Sequence, residues 1–202
     1  MPRLTRLIPN IRRGLLVDRD IRAAVHAGEL VIDDPDWPSM LRPAAISLRL
    51  GGQAYVLSSQ QAVDVADADT YPLLDPRALD ARGRLLLRPH EVLLVRTQER
   101  IGVCERLVGL LDGTSDYARL GISVVLAHQV SPGYGMPNGS PLTLEIVSRL
   151  GHDVLLHPGA RIANLMLLRG SWVERSYRDM PANHSSATWS VRSRLSEVIK
   201  PR

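Results

Sequence analysis

Gly113-Thr114-Ser115-Asp116-Tyr117-Ala118-Arg119-Leu120-Gly121, followed by Leu142-Thr143-Leu144-Glu145-Ile146, is the pair of segments on which the reading of this chain turns. The first is a Gly/Ser-rich turn that carries an arginine. Such a turn can present backbone N–H groups and a hydroxyl to a phosphate. The second is a short apolar strand that carries a carboxylate, and an arginine able to pair with that glutamate would give an ionised base. Successive side chains on a strand point to opposite faces. Leu142, Leu144 and Ile146 therefore face one way, and Thr143 and Glu145 face the other, toward a cavity or solvent. Together the segments imply a nucleotide site with water chemistry beside it.

The flanking sequence supplies short strands. Ile46 to Leu50 alternates and halts at Gly51-Gly52, with Tyr55-Val56-Leu57 as the expected return strand of a hairpin. Residues 64–80, rich in Asp, Pro and Ala, are expected to be irregular. Leu85 to Leu87, Val92 to Val95, Ile122 to Leu126, Val154 to Leu156 and Ile162 to Leu168 are further strands, and residues 101–111 are expected to form a strand and then a short helix. One early helix spans Asp18 to Gly28, capped by Asp18 and ended by Gly28. Beyond Trp172 the polar sequence reads as an arm that needs a partner surface to order it. Many short strands and one early helix indicate a mostly β sandwich or barrel.

The composition describes an ordinary globular protein of 202 residues, with 45% hydrophobic and 23% charged residues. Aromatics are 4% and Phe is absent, so Leu, Val, Ile and Ala must build the core. The net charge of +4 suits an anionic ligand only where charges cluster locally. No long Lys/Arg run with interleaved aromatics argues for nucleic acid. No apolar run approaches the ~18 residues of a membrane span. Cys104 is alone, which suits a reducing compartment and excludes the multi-Cys/His zinc-deaminase pattern. A cytoplasmic protein is expected. Cys104 itself, in an apolar stretch, is expected to be a small buried side chain.

Several segments in order carry a family resemblance. They are Asp18-Arg19-Asp20-Ile21 with Gly28-Glu29-Leu30, Pro43 to Gly51, Pro89 to Ile101, Leu111 to Gly121, Leu142 to Ile146, Pro158 to Leu165 and Ser193-Arg194-Leu195. On these the chain resembles the dCTP deaminases of the dUTPase-like superfamily, trimeric β-barrel enzymes. The resemblance implies a mostly β, distorted barrel or jelly roll with a short N-terminal helix and an extended C-terminal arm. It divides the chain into an N-terminal extension (1–17), a barrel (18–170) and the arm (171–202). It implies Glu145, Arg119, Ser115 and Ala127 as the catalytic set, and Gly113, Thr114, Ser115, Asp116, Asn164 and Tyr177 as substrate and phosphate contacts. It further implies Mg²⁺ arriving with a nucleoside triphosphate, no zinc, and a homotrimer with sites between subunits.

The chain also departs from the family pattern. The loop reads Gly113-Thr114-Ser115-Asp116 where the family has Gly-Arg-Ser-Ser, and a like charge ~4 Å from phosphate costs about 4 kcal/mol at an effective dielectric of ~20. Ser131 stands where the family has an aspartate before Pro-Gly, a carboxylate that helps the dUTP-hydrolysing relatives activate water. Asn164 replaces a common glutamine. The leading reading is a deaminase of a deoxycytidine nucleotide, most simply dCTP; the alternatives are a dUTPase-like diphosphatase and a nucleotide-binding regulator without catalysis.

Overall fold

The computed structural model describes residues 14–59, 61–184 and 189–199. Most of the expected N-terminal extension lies outside these residues. In chain order the elements are β1 (Gly14–Leu15), α1 (Asp18–His26), β2 (Leu30–Ile32), β3 (Leu41–Arg42), β4 (Ala45–Ser58), β5 (Leu73–Pro76), β6 (Leu85–Leu87) and β7 (Val92–Val103). They continue with β8 (Leu107–Gly113), α2 (Ser115–Arg119), β9 (Ile122–Ser123), β10 (Gln129–Val130), β11 (Ser140–Ser148), β12 (Val154–Leu156) and β13 (Arg161–Arg169). The fold is mostly β, as expected.

One long strand organises it. β4 pairs with β13 through Ile46 to Arg49 and then with β7 through Leu50 to Val56. It thus passes from one layer of a curled antiparallel sheet to the other, in the order β10-β8-β13-β4-β7-β11-β9. The expected hairpin at Gly51-Gly52 is therefore a bend inside a single strand. The glycines allow close approach instead of a reversal: a Cβ on Gly51 would lie 2.6 Å from the Arg96 carbonyl oxygen. The ladder to β7 shifts register between Leu50 and Ala54 at this point.

Other local expectations are revised. Residues 101–111 form no helix: β7 runs on to Val103, turns at Cys104 to Arg106, and returns as β8. Asp18 is the first residue of α1 and not its cap. Val17 is the N-cap, and its N–H donates to Asp20 Oδ2 at 3.4 Å. Gly28 does end the helical segment, in the left-handed conformation at φ +70°. Residues 64–80 include β5, which pairs with the end of β4. Ile122 to Leu126 keeps only two residues in ladder pairing before the chain leaves the sheet.

Between the layers lie Leu16, Ile21, Leu30, Ile46, Leu48, Leu50, Leu93, Ile101, Leu144 and Leu165, each essentially inaccessible. Burying each such side chain contributes about 1.5–3 kcal/mol. Cys104 is buried as expected, and burial pushes its thiol pKa up. Glu99, fully buried, is matched by Arg49, whose Nε lies 2.6 Å from Glu99 Oε1 and whose backbone N–H donates to Oε2 at 2.9 Å. Glu29 receives both Arg106 and Arg169. These ion pairs tie β2, β4, β7 and β13 together, and none of their members lines the cavity described next.

Candidate active site

β11 is held between β7 and β9, with Glu145 opposite Leu94. Its alternation behaves as the sequence predicts. Leu144 and Ile146 are buried in the core, while Thr143 and Glu145 face a cavity of about 440 Å³; Leu142, buried at the register shift that opens the strand, also lines it. That volume lies in the usual ~300–1,000 Å³ range of small-molecule sites. The chain leaving β9 carries Val124 and Val125 into the core and then passes over Glu145. There the Leu126 and Ala127 N–H groups donate to Glu145 Oε2 at 3.1 and 3.4 Å. Two backbone amides thus orient the carboxylate, and Ala127 joins it in the cavity wall.

The cavity floor is stiffened by Tyr134. Its hydroxyl donates to the Pro141 carbonyl at 2.6 Å, and burial pushes its pKa up to about 12. The Tyr177 ring packs against it at 6.1 Å, so Tyr177 lines the cavity from the arm. The arm does not project away from its own chain. The Val173 N–H donates to the Glu105 carbonyl and Ser176 Oγ donates to Glu105 Oε1 at 3.2 Å. Further on, the Trp189 indole N–H donates to Thr143 Oγ1 at 2.9 Å, beside Glu145 on β11, and the ring lies 5.6 Å from Tyr55. His184, Ser190 and Arg192 complete this side of the cavity. No periodicity in the arm announces this return. Thr143, by contrast, shares its strand face with Glu145 and could have been found from that alternation.

The remaining predicted residues form a separate group that does not line the cavity. Gly113 closes β8, and a Cβ there would meet Val124 Cγ2 at 3.0 Å. Thr114 caps α2 without a side-chain hydrogen bond, and its N–H donates to the Ile162 carbonyl. The Gly/Ser-rich turn is therefore a strand end followed by one short helix. On that helix Arg119 Nη1 lies 3.3 Å from Ser115 Oγ and 3.4 Å from Asp116 Oδ1. The Arg119 and Asp116 side chains are 74% and 87% exposed. The expected pairing of Arg119 with Glu145 is not made within one chain. Asn164 lies on β13, where Ser47 Oγ donates to its Oδ1 at 2.9 Å.

The family model and the curated relatives agree on one family. The model of the "dCTP deaminase-like" family matches residues 15–170. A Corynebacterium jeikeium protein named "dCTP deaminase, dUMP-forming" is 32% identical over 167 residues, covering 76% of this chain and 80% of that protein. A Marinomonas protein named "dCTP deaminase" is 31% identical over 195 residues, covering 90% and 97%. The crystal structure of 2'-deoxycytidine 5'-triphosphate deaminase from Agrobacterium tumefaciens superposes with a TM-score of 0.58 at 20% identity, covering 78% of this chain and 49% of that one, and shows a shared fold. With more than half of its length matched by the family model, this chain belongs to the dCTP deaminase-like family.

Proposed function

We propose that the chain hydrolyses the exocyclic amine of a deoxycytidine nucleotide, giving the uracil counterpart and ammonia, with Glu145 as general base. The observation that carries this reading is the Glu145 carboxylate, held by the Leu126 and Ala127 amides and turned into a half-open, largely apolar cavity. The carboxylate takes a proton from water as the water oxygen bonds to C4 of the base. N3 accepts a proton, giving a tetrahedral centre at C4. Glu145 then takes the proton of the new C4 hydroxyl and passes it to the amino group, the C4–N bond breaks, and ammonia departs as the C4 carbonyl forms. Water and base are brought together by the cavity, so the gain is one of proximity as well as proton transfer.

Arg119 and Ser115 enter this chemistry from a second copy. Their side chains are exposed on α2, which ends at the apolar Leu120, 61% exposed, while Leu126, whose N–H donates to Glu145, is 57% exposed. Pairing such surfaces between copies removes apolar area from water and brings a cation to the carboxylate. A homotrimer, as in the resemblance, gives each cavity a neighbour's loop. Gly113 and Thr114 then set that loop's path, and Asp116 and Asn164 lie on the phosphate side.

Glu145 is the only acid among the described residues lining the cavity, and Ser131 supplies no second carboxylate. This favours deamination with the phosphate chain left intact over added diphosphate release. Among the described residues no group of three or more His, Cys, Asp or Glu could hold a metal. Mg²⁺ is read as arriving with the substrate phosphates, as the resemblance implies. No helix among the described residues is long and apolar enough to cross a membrane. A reducing, cytoplasmic setting fits the single buried Cys104.

The test is chromatography after incubation with Mg²⁺ and, separately, dCTP, dCMP, CTP and dUTP. Conversion of a deoxycytidine nucleotide to its uracil counterpart, absent in Glu145→Gln, is expected. Pyrophosphate release from dUTP would support the diphosphatase instead, and nucleotide binding without turnover would support a regulator.

A further inference from the structure

Arg119 is the one basic residue from Gly113 to Gly121, and it already lies 3.4 Å from the Asp116 carboxylate. A chain of phosphates calls for further cationic donors. The sheet beside the loop supplies one. β8 runs into the loop with Asp112 and Thr114 on one face, because Thr114 is still extended at φ −74° and ψ 152°. In register, Asp112 stands opposite Asn164 on β13, and Asn164 opposite Ser47 on β4. Arg42 on β3 ends this row, its Nε–H donating to Ser47 Oγ at 2.9 Å.

The polarity of the row is fixed by chemistry. A guanidinium only donates, so Ser47 Oγ accepts from Arg42 and gives its own proton to Asn164 Oδ1 at 2.9 Å. That leaves the Asn164 carboxamide nitrogen as a donor. Ser47 is buried at 1% exposure, so it anchors both neighbours from below, while Arg42 is exposed. Among the described residues, the Arg42 Nη groups have no hydrogen-bond or ion-pair partner. Asp112 is the acid of the row. Its Oδ1 accepts the Gly113 N–H at 2.7 Å and lies 4.0 Å from His128 Nδ1, at the loop end and away from Arg42.

Resting on the deamination reading and its two-copy site, we infer that Arg42, on the copy that lends α2, is the cationic contact for the distal phosphates of a deoxycytidine triphosphate. Asn164 is the neutral donor between Arg42 and the loop. Two strand spacings of about 4.8 Å each separate Asp112 from Ser47, the scale over which three linked phosphates extend from the loop.

The test is calorimetric titration of dCTP and dCMP, with Mg²⁺, into full-length Glu145→Gln protein and into the same protein carrying Arg42→Gln or Arg42→Lys. Arg42→Gln is expected to weaken dCTP about tenfold or more and dCMP less than about twofold, with Arg42→Lys recovering part of the loss. The loss should shrink as salt rises, which a purely structural role would not produce. Equal loss for both nucleotides, no loss for dCTP, or no dCTP binding by the parent overturns the inference. Turnover with Glu145 intact separates the two claims. The expected binding pattern without turnover of any cytosine nucleotide sinks deamination alone. Turnover of dCTP with a KM unmoved by Arg42→Gln sinks the phosphate contact alone.

Discussion

The cavity around Glu145 and the short helix carrying Arg119 are built in opposite ways. Glu145 sits on a strand paired on both sides, its carboxylate held by two amides, with the floor buttressed by Tyr134 and the mouth crossed by the arm. Arg119 sits on five residues of helix, largely exposed, and its side-chain hydrogen bonds among the described residues go to Ser115 and Asp116 of its own turn. The first region is preorganised by one chain. The second has side chains suited to the chemistry and no second surface to work on. The difference teaches that the two groups of residues do not meet within one chain, which is why the proposed function takes the second group from a neighbouring copy.

The largest effect should come from the preformed half. Glu145→Gln is expected to lower the deamination rate by about a thousandfold with little change in melting temperature, since removal of a positioned acid–base group costs 10²–10⁴-fold. Kinetics and thermal denaturation on the same preparation check it, and a large loss of stability would assign Glu145 a structural role. Next comes the exposed half. Arg119→Ala should cost about a hundredfold in rate, as loss of one electrostatic stabiliser does, while leaving stability unchanged because the side chain has no buried partner. An unaffected rate would confine catalysis to the cavity.

Gly51→Ala probes what keeps the cavity preformed. The added Cβ must displace the Arg96 carbonyl at the crossing of β4, with an expected loss of about 2 kcal/mol in denaturant unfolding. Unchanged stability would mean that β4 is free to shift there. The smallest effect concerns the arm. His184 is shifted below its ordinary pKa when docked, so the docked arm binds fewer protons than a released arm. Docking is therefore at full strength above the unperturbed histidine value of ~6.5 and weakens as pH falls through the docked value. Hydrogen exchange of the arm should rise on acidification in the wild type and stay flat in His184→Gln.

Much of this was legible in the sequence because strand alternation is local. Leu142 to Ile146 assigned its two faces directly, and Glu145 with it. Gly51-Gly52 was misread because glycine marks both reversal and close approach, and only the tertiary position of Arg96 tells them apart. The turn at Cys104 to Arg106 was hidden by apolar residues on both sides, which read as one continuous element. The arm's return over the cavity depends on single long-range contacts, such as Trp189 to Thr143, that leave no periodic trace. Ser115, Asp116 and Arg119 read as a turn and instead form the short helix α2, because the Gly/Ser signal does not tell a turn from a one-turn helix, and within one chain Arg119 meets Ser115 and Asp116 and not Glu145.

The most direct test of the two-copy site is complementation. Glu145→Gln and Arg119→Ala chains, each strongly impaired alone, should regain deamination when coexpressed and purified as mixed assemblies, because some cavities then pair an intact Glu145 with an intact Arg119 from a neighbour. Mixed assemblies that stay as impaired as either parent, beside an active wild type, would contradict a site shared between copies.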